Sequence, residues 1–492
     1  MGQAMQQLSL TLNMIHLDAA REQPLQHQLY EAMRDAIVTR QLAPNGRLPS
    51  SRELARRWHV SRNTVLGAFD QLSAEGYLES RQGSGTYITS CIPDAYVRAA
   101  QGDRQLCTEA AARRVEEVRG RKTRVWGRSC SRHPDLPLRP TIPSLKEFPI
   151  TLWEQCRKKI LQDGPGALLS YGDPLGYWPL RKAIATHLRD ARGVYCDPDQ
   201  VIICCGSQHG IYLTGSLMLD QGDRVWMEDP GYQGARSAYQ SLGAKLIYVP
   251  VDSEGMQIPQ DSPTPRLIHL SPSHQFPMGH TMSLQRRLDM LEYADKSGAF
   301  LVEDDYDSEF RYDGRPLSSL QGLDQTGSVI YIGTFSKVMF PSLRLGYLVV
   351  PKGMVDLFEA TRSRVDGNPT QIEPATLALF MEEGHYARHV RRMRALYAER
   401  LQILQETVKK CLYPHLQLRP QQGGLHAVAY FRDQSVDDQA FSDAAYRAGV
   451  VVPSLGHLSM EAHTPPALLM GFGAYCQQEI EEAVRRLATL FR

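Results

Sequence analysis

The 492-residue sequence has almost no net charge, since 55 Lys and Arg stand against 54 Asp and Glu and leave +1. The chain as a whole is therefore not drawn to a polyanion, and any such site must be local. It contains no run of 18 uncharged apolar residues, and its first residues lack the basic start and apolar core of a secretion signal. These absences predict a cytoplasmic protein that does not bind a membrane.

Paired cysteines are also missing. The nine cysteines are an odd number and include no C-x-x-C pair, which excludes a disulfide framework and a cysteine-based metal site. We expect reduced thiols in the core and no metal. Hydrophobic residues at 42% and charged residues at 22% are typical of an ordinary globular chain, and the length suits about three domains.

Charge is distributed unevenly along the chain. Residues 98–139 hold eleven Lys and Arg against five Asp and Glu, show no sustained apolar period, and are followed by a proline at position 140. We interpret residues 98–140 as a basic linker, which is either a solvated tether or an extra contact with a phosphate backbone. It would separate an N-terminal domain, residues 1–97 with a core at about 22–90, from a large domain, residues 141–380, and a small domain, residues 381–492.

The N-terminal domain shows three short helical patterns followed by a hairpin pattern. Apolar residues follow the helical period after Pro24, Ser50 or Ser51 can cap a second helix, and Ser61 can cap a third. YLESRQGSGTYI then alternates like a β-hairpin about a Gly-Ser-Gly tip. Residues 47–62 hold five arginines and one acid. This pattern predicts a winged helix-turn-helix with a positive edge that a DNA duplex would follow.

GRLPSSRELA, VSRNTVLGAFDQLSAEGYL and RQGSGTYI resemble the GntR-type winged helix over about 65 residues. The resemblance implies that Arg52, Arg62 and Thr64 contact bases or phosphates, that Ser61 begins the recognition helix, and that Gly83 to Gly85 form the wing. The alternative is a solvated basic face. The full set of candidate DNA contacts is Arg47, Ser51, Arg52, Ser61, Arg62, Asn63, Thr64, Arg81, Gly83, Ser84 and Gly85.

Beyond residue 148, helix-like stretches alternate with short apolar runs. The runs lie at residues 201–206, 224–229, 245–250, 266–272, 299–305, 329–337 and 344–351. Most are far enough apart for a helical crossover, which predicts an α/β domain with a mainly parallel sheet buried on both faces.

One of these runs ends in a lysine, Lys337, and an earlier one ends in Glu303-Asp304-Asp305-Tyr306. A lysine at the end of a buried strand needs a partner, and carbonyl chemistry uses such amines. Pyridoxal 5'-phosphate (PLP) needs an amine, a carboxylate, a phenol and a phosphate site. The phosphate site would begin at Ser207 and Gln208, where a helix follows a strand, and would be completed by Thr334, Ser336 and Arg344.

YGDPLGYWPLRKAI, EDPGYQG, SPSHQFPMG, VEDDYDSEF and GTFSKVMFPSLRLGYLV resemble the fold-type-I aminotransferases over roughly residues 145–492. The resemblance implies that Lys337 is the catalytic Schiff-base lysine and that Asp304 pairs with the pyridinium nitrogen, with Asp305 as its rival. It further implies roles for three tyrosines: Tyr306 near the ring oxygen, Tyr232 stacked on the ring, and Tyr171 on the phosphate of a partner subunit.

Two departures from the aminotransferase pattern stand out. Phe276 occupies the position of the usual asparagine, so His274 or Gln275 would have to reach the ring oxygen. The segment expected to hold a substrate-binding arginine reads Leu469-Met470-Gly471-Phe472. A bidentate clamp for an α-carboxylate is therefore missing there, which speaks against ordinary transamination.

A GntR-type reader joined by a basic linker to an aminotransferase-like body resembles the MocR transcription regulators over nearly the whole chain. The resemblance implies a head-to-tail homodimer that binds PLP and repeated half-sites in double-stranded DNA, and that senses PLP itself or an amine or amino acid. We expect a regulator rather than an enzyme. The alternatives are a working aminotransferase with a DNA-binding module, and a dimerisation scaffold that binds no cofactor.

Overall fold

The computed structural model describes residues 11–12, 15–18, 23–81, 84–90, 136–162, 164–312, 318–419 and 422–491. The chain divides into two compact units, Met1–Arg124 and Val125–Arg492. Most of the predicted linker and the predicted DNA contact Gly83 lie outside the described residues. Within the described part of the chain, no helix is long and apolar enough to cross a membrane.

The described residues of the N-terminal unit include three helices and a two-stranded antiparallel sheet. The helices are α1 (Leu25–Val38), α2 (Ser51–Arg57) and α3 (Arg62–Ala74), and the strands are β1 (Leu78–Arg81) and β2 (Gly85–Ile88). Leu29, Met33 and Ile37 of α1 are buried together with Val65, Phe69 and Leu72 of α3. The helical period read from the sequence therefore marks the faces that form this core.

Serines cap the second and third helices. Ser50 Oγ accepts a hydrogen bond from the Glu53 N–H at 3.3 Å, and Ser61 Oγ accepts one from the Thr64 N–H at 3.0 Å. Each serine satisfies a backbone donor that has no partner inside the helix. Of the two serines that the sequence offered for α2, Ser50 is the cap.

The second unit is built on an eight-stranded sheet with the order β3-β10-β9-β8-β7-β4-β5-β6. Its strands are β3 (Val201–Cys204), β4 (Arg224–Asp229), β5 (Lys245–Asp252), β6 (Gly255–Met256), β7 (Leu267–Leu270), β8 (Phe300–Asp305), β9 (Val329–Thr334) and β10 (Gly346–Val349). The pairs among β5, β4, β7, β8 and β9 are parallel, whereas β10 runs antiparallel to both neighbours. The predicted mainly parallel sheet is confirmed, with β10 antiparallel inside it and the short edge strand β6 antiparallel to β5.

Helices surround this sheet, and a smaller sheet follows in the chain. The helices are α4 (Ile150–Gln162), α5 (Pro165–Leu168), α6 (Trp178–Arg192), α7 (Ser207–Met218), α8 (Gln233–Ser241), α9 (Leu284–Ser297), α10 (Leu320–Leu323), α11 (Val355–Val365), α12 (Ile372–Glu382), α13 (His385–Leu412), α14 (Asp438–Arg447) and α15 (Gln477–Ala488). The small sheet is antiparallel with the order β11 (Leu416–Leu418), β12 (His426–Phe431), β13 (Ala467–Gly471). This is the smaller C-terminal α/β subdomain that the sequence predicts.

Residues 136–144, here called the junction segment, are held against the C-terminal part of the second unit. The Gly471 N–H donates to Leu138 O at 2.7 Å, and the Val451 N–H donates to Pro137 O at 3.0 Å. Leu138 is fully buried. Residues 136–140, assigned to the linker on sequence grounds, thus pack on the body of the second unit.

A candidate cofactor site at the carboxyl ends of the parallel strands

Lys337 lies three residues beyond the end of β9 and is half-buried at the carboxyl edge of the sheet. Its Nζ donates a hydrogen bond to Thr141 Oγ1 of the junction segment at 3.2 Å. Burial lowers the pKa of Lys337 because the charged ammonium loses its hydration, while nearby Asp307 opposes this shift and Arg139 adds to it. The lysine is therefore biased towards a neutral, nucleophilic amine.

Asp304 is the penultimate residue of β8, lies within electrostatic reach of this lysine and is only 6% exposed. Its Oδ1 has no hydrogen-bond partner among the described residues, and its Oδ2 lies 3.7 Å from His269 Nε2. Burial, assisted by the charges of Asp305 and Glu228, raises the pKa of Asp304 to about 7. An orphaned carboxylate oxygen in such a place is costly unless a ligand supplies a donor or a positive charge.

Asp305 faces the other way, because successive side chains of a strand point to opposite faces. Its Oδ2 accepts hydrogen bonds from Arg192 Nη2 at 2.7 Å and Nε at 3.0 Å, and from the Tyr331 hydroxyl at 2.5 Å. The buried ion pair with Arg192 occupies this carboxylate. Of the two rival acids, the geometry leaves Asp304 with an available oxygen.

The predicted phosphate site lies where α7 begins. Gly206 precedes the helix with a φ of +81°, and Ser207 and Gln208 form its first turn, where free N–H groups favour an anion. Gly346 of β10 pairs with Cys204 on one side and Thr334 on the other, which brings the ends of three strands together. The Ser336 N–H donates to Thr334 Oγ1 at 3.2 Å.

Arg344 supplies the cation of this site. Its Nη2 donates to Cys205 O at 2.9 Å, and its Nη1 lies 3.4 Å from the position that a Cβ on Gly206 would take. The guanidinium and the start of α7 are therefore neighbours. The structure thus brings Ser207, Gln208, Thr334, Ser336 and Arg344 together at one edge of the sheet.

Tyr232 connects the phosphate site to the rest of the pocket. Its hydroxyl donates to Gln208 Oε1 at 3.2 Å, and Gln208 Nε2 donates to Gly234 O at 2.9 Å. Burial raises the pKa of Tyr232 to about 12, with a contribution from the charge of Asp304. The tyrosine therefore remains a neutral aromatic near Asp304.

His274 and Tyr306, predicted to lie near the cofactor ring oxygen, contact each other. The Tyr306 hydroxyl lies 3.0 Å from His274 Nδ1, which also lies 3.0 Å from Asp307 Oδ1. Gln275, the alternative to His274, instead uses its amide on the Pro230 and Phe276 carbonyls and on the Met278 N–H. The geometry therefore favours His274 of the two candidates.

Sequence reasoning missed His426, which begins β12 and is fully buried. Its Nε2 donates to Pro277 O at 3.0 Å, and its Nδ1 has no hydrogen-bond partner among the described residues. Burial, together with the charge of His274, lowers the pKa of His426 to about 4, so the ring is a neutral acceptor. A histidine that starts an otherwise apolar strand is the signal that could have identified it.

Two further positions are Tyr171, predicted to contact the phosphate of a partner subunit, and Leu469, which stands where a substrate-binding arginine would be expected. Tyr171 is 91% exposed, so the role predicted for it would require a second copy of the chain and stays a prediction. Leu469 is buried in β13 among Val428, Tyr430 and Leu455. The side chain at this position of β13 is thus part of an apolar cluster.

The candidate DNA contacts lie on the surface of the N-terminal unit. Ser51 and Thr64 are half-buried, and the other described members of the set, Arg47, Arg52, Ser61, Arg62, Asn63, Arg81, Ser84 and Gly85, are exposed. Arg62 Nε donates to Ser51 Oγ at 3.3 Å, which joins the starts of α2 and α3. Arg81 lies over the Tyr87 ring at 4.5 Å, and Ser84 Oγ is 2.7 Å from the Tyr87 hydroxyl. Their contacts with DNA stay predictions.

Comparison with known proteins also assigns the N-terminal part of the chain and the rest of it to two different families. Residues 25–88 match the bacterial regulatory proteins of the gntR family, and residues 147–487 match aminotransferase class I and II. The chain is 37% identical to the probable rhizopine catabolism regulatory protein MocR of Rhizobium meliloti, over 97% of this chain and 96% of that one. It is 33% identical to the pyridoxine biosynthesis transcriptional regulator PdxR of Corynebacterium glutamicum, over 91% of this chain and 92% of that one.

The second unit also resembles solved aminotransferases. One is LysN, the α-aminoadipate aminotransferase of Thermus thermophilus, solved with N-(5'-phosphopyridoxyl)-L-leucine. The TM-score is 0.66 at 25% sequence identity, and the match covers 72% of this chain and 91% of that one. The parallel sheet with its carboxyl-edge pocket is thus the fold-type-I aminotransferase architecture.

Fold and site together define a fusion of a GntR-type DNA-binding domain with an aminotransferase-like domain. The chain belongs to the MocR-type transcriptional regulators. The predicted fold class is confirmed, and transcriptional regulation is favoured over the alternative of an aminotransferase with a DNA-binding module.

Proposed function

We propose that this regulator holds PLP in its second unit and senses PLP itself or an amine or amino acid. The observation that carries the proposal is a half-buried lysine, Lys337, within electrostatic reach of Asp304, whose Oδ1 has no hydrogen-bond partner in the part of the chain that the structure describes. Neither group is explained by the packing of the protein alone. An aldehyde cofactor with a basic ring nitrogen would satisfy both.

Bound PLP supplies an aldehyde that a primary amine captures reversibly. Lys337 would hold it covalently, and Asp304 would keep its ring nitrogen protonated. Tyr232 would cover the ring, and Tyr306 and His274 would lie at its ring oxygen. Ser207, Gln208, Thr334, Ser336 and Arg344 would bind the phosphate. An amine effector would then compete with Lys337 for the same carbon.

Two copies of the chain would work together. In a head-to-tail homodimer the exposed Tyr171 of each copy would reach the phosphate of the other, and two winged helices would bind repeated operator half-sites. Because the protein acts on DNA, we propose a cytoplasmic location. If the effector favours one arrangement of the dimer, its binding must change the affinity for DNA by the same coupling factor.

The experiment that tests this proposal is borohydride trapping of purified protein after incubation with PLP. We expect a visible absorbance band before reduction, and a single pyridoxyl adduct on Lys337 by mass spectrometry. Lys337→Ala should lose both signals. Lys352→Ala, which removes an exposed lysine paired with Asp197, should keep them. A colourless wild-type protein, or an adduct that persists in Lys337→Ala, would refute the proposal.

A further inference from the structure

In the aminotransferase pattern, a substrate-binding arginine would stand where this chain has Leu469. Leu469 is part of an apolar cluster, so this position supplies no cation to a ligand at Lys337. Acids are plentiful there, since the charges of Asp304, Asp307 and Glu228 all act on one another or on the lysine. An effector that carries a carboxylate would therefore need a positive group from elsewhere in the chain.

The junction segment brings an arginine to this pocket. Arg139 lies two residues before Thr141, whose hydroxyl accepts from Lys337 Nζ at 3.2 Å. Both Leu138 and Thr141 have positive φ, +62° and +61°, and a left-handed conformation is unusual for a β-branched residue. A strained backbone of this kind persists only when its surroundings hold it in place.

Specific contacts hold the backbone of this segment. The Arg139 N–H donates to the Tyr475 hydroxyl at 3.1 Å, and that hydroxyl donates to Leu136 O at 3.1 Å. A Cβ on Gly471 would come within 1.9 Å of Arg139 O, so the two backbones touch. The position of Arg139 is therefore fixed by the small sheet and by the loop that holds Tyr475.

The guanidinium of Arg139 has no hydrogen bond or ion pair with any described residue, although the side chain is half-buried. Its backbone lies two residues from Thr141, which contacts Lys337, and its charge contributes to the lowered pKa of that lysine. A half-buried guanidinium without an anionic partner costs free energy. An arrangement of that kind marks an anion-binding site better than a structural ion pair.

We propose that Arg139 binds the carboxylate of an amino-acid effector whose amine reaches the cofactor at Lys337. The inference rests on the proposed function for the amine end, and it assigns the ligand class to amines that carry a carboxylate. Arginine suits this role because its planar fork can bind a carboxylate bidentately. Arg139 is among the last residues of the predicted linker, so the carboxylate would bind at the end of that linker.

The test compares amines that differ only by the carboxylate. PLP-loaded protein is titrated spectrally with γ-aminobutyrate, β-alanine and glycine, and with their counterparts n-propylamine, ethylamine and methylamine. We expect at least one amino acid to act at a concentration about tenfold below that of its alkylamine, as a good charge-assisted contact allows. Arg139→Gln should abolish this preference and leave the alkylamine titrations unchanged, whereas Arg139→Lys should keep part of it.

Lys146→Gln is the matched control, because Lys146 is an exposed cation seven residues further along, paired with Glu479. It should behave like the wild type. A second measurement does not depend on the cofactor: butyrate, propionate and acetate should raise the melting temperature of unloaded wild-type protein but not of Arg139→Gln. Circular dichroism confirms that the variants fold.

The outcomes separate the two proposals. If wild-type protein takes up no PLP, the proposed function fails, and the carboxylate effect on unloaded protein still decides the role of Arg139. If alkylamines and amino acids act equally on loaded protein, or if Arg139→Gln keeps the preference, the inference is wrong whatever the fate of the cofactor.

Discussion

Asp304 and Asp305 are chemically identical neighbours on β8 in opposite environments. The carboxylate of Asp305 is neutralised by Arg192 and hydrogen-bonded by Tyr331, whereas Oδ1 of Asp304 has no partner among the described residues. The difference follows from the alternation of a strand, which sends one side chain towards α6 and the other into the pocket. Asp304 is thus a group that the unloaded protein holds at a cost.

That cost predicts an unusual effect of Asp304→Asn. The folded protein keeps the proton of Asp304 up to a pKa of about 7, against 3.8 for an ordinary Asp. Because the folded state binds this proton more tightly than the unfolded chain, its contribution to stability falls as the pH rises from about 4 to about 7. Asp304→Asn should therefore stabilise unloaded protein at pH 8 by about 2–4 kcal/mol, and by less at pH 5.

Urea unfolding at both pH values measures this effect. Asp305→Asn is the control, because it leaves Arg192 buried without its partner and should destabilise by about 3–5 kcal/mol. Asp304→Asn should also lose most of its affinity for PLP. If Asp304→Asn is no more stable than the wild type at pH 8, the ionised carboxylate of Asp304 does not destabilise the folded protein.

At the scale of elements, the phosphate site depends on how closely β10 approaches the start of α7. A Cβ on Gly346 would lie 2.8 Å from Gly206 C and 2.9 Å from Gly333 O, both of which are backbone atoms. Gly346→Ala should therefore push α7 away from Arg344. We expect about a tenfold or greater loss of PLP affinity and a destabilisation of about 1–3 kcal/mol.

Gly353→Ala is the matched control, since a Cβ there meets nothing within 4 Å. Equilibrium binding of PLP and urea unfolding measure the two effects. Unchanged PLP affinity in Gly346→Ala would mean that the start of α7 does not bind the phosphate.

In the N-terminal unit, the starts of α2 and α3 form the element that we expect to read DNA. Arg62 is exposed at the start of α3 and tied to Ser51 of α2 at 3.3 Å. With an operator selected from random duplexes, Arg62→Ala should weaken binding by about 1–3 kcal/mol if the contact is to a base. Arg40→Ala, an exposed arginine after α1, should not. Equal losses in both variants would indicate a general charge effect.

The sequence predicted those elements that depend on local chemistry. The serine caps of α2 and α3, and the strands β8 and β9 that lead to Asp304 and Lys337, each depend on a few neighbouring residues of the sequence. Contacts between distant residues left no such signal: Arg192 meets Asp305 across 113 positions, and Thr141 meets Lys337 across 196. Periodicity and caps report the face of an element, but not which other element packs on it.

At the scale of the whole molecule, the two units can communicate only if ligand binding in one favours a conformation that alters the other. The junction segment is where such an effect would begin, since Thr141 touches Lys337 and residues 136–140 end the predicted linker. A cofactor that takes the lysine amine away from Thr141 would change the contacts of the junction segment, which includes the last residues of the predicted linker. PLP binding and DNA binding should therefore be coupled through this segment.

Coupling of this kind must be reciprocal. If PLP changes the operator affinity by some factor, operator DNA must change the PLP affinity by the same factor, because both describe one free energy, which is typically about 1–3 kcal/mol. We expect equal factors from fluorescence titrations of labelled operator with and without PLP, and of PLP with and without operator. Thr141→Val, which removes the hydroxyl that accepts from Lys337, should reduce both factors together while PLP still binds, and Lys146→Gln should leave both unchanged. An operator affinity that does not respond to PLP in the wild type would mean that the second unit holds its cofactor without reporting it to the DNA.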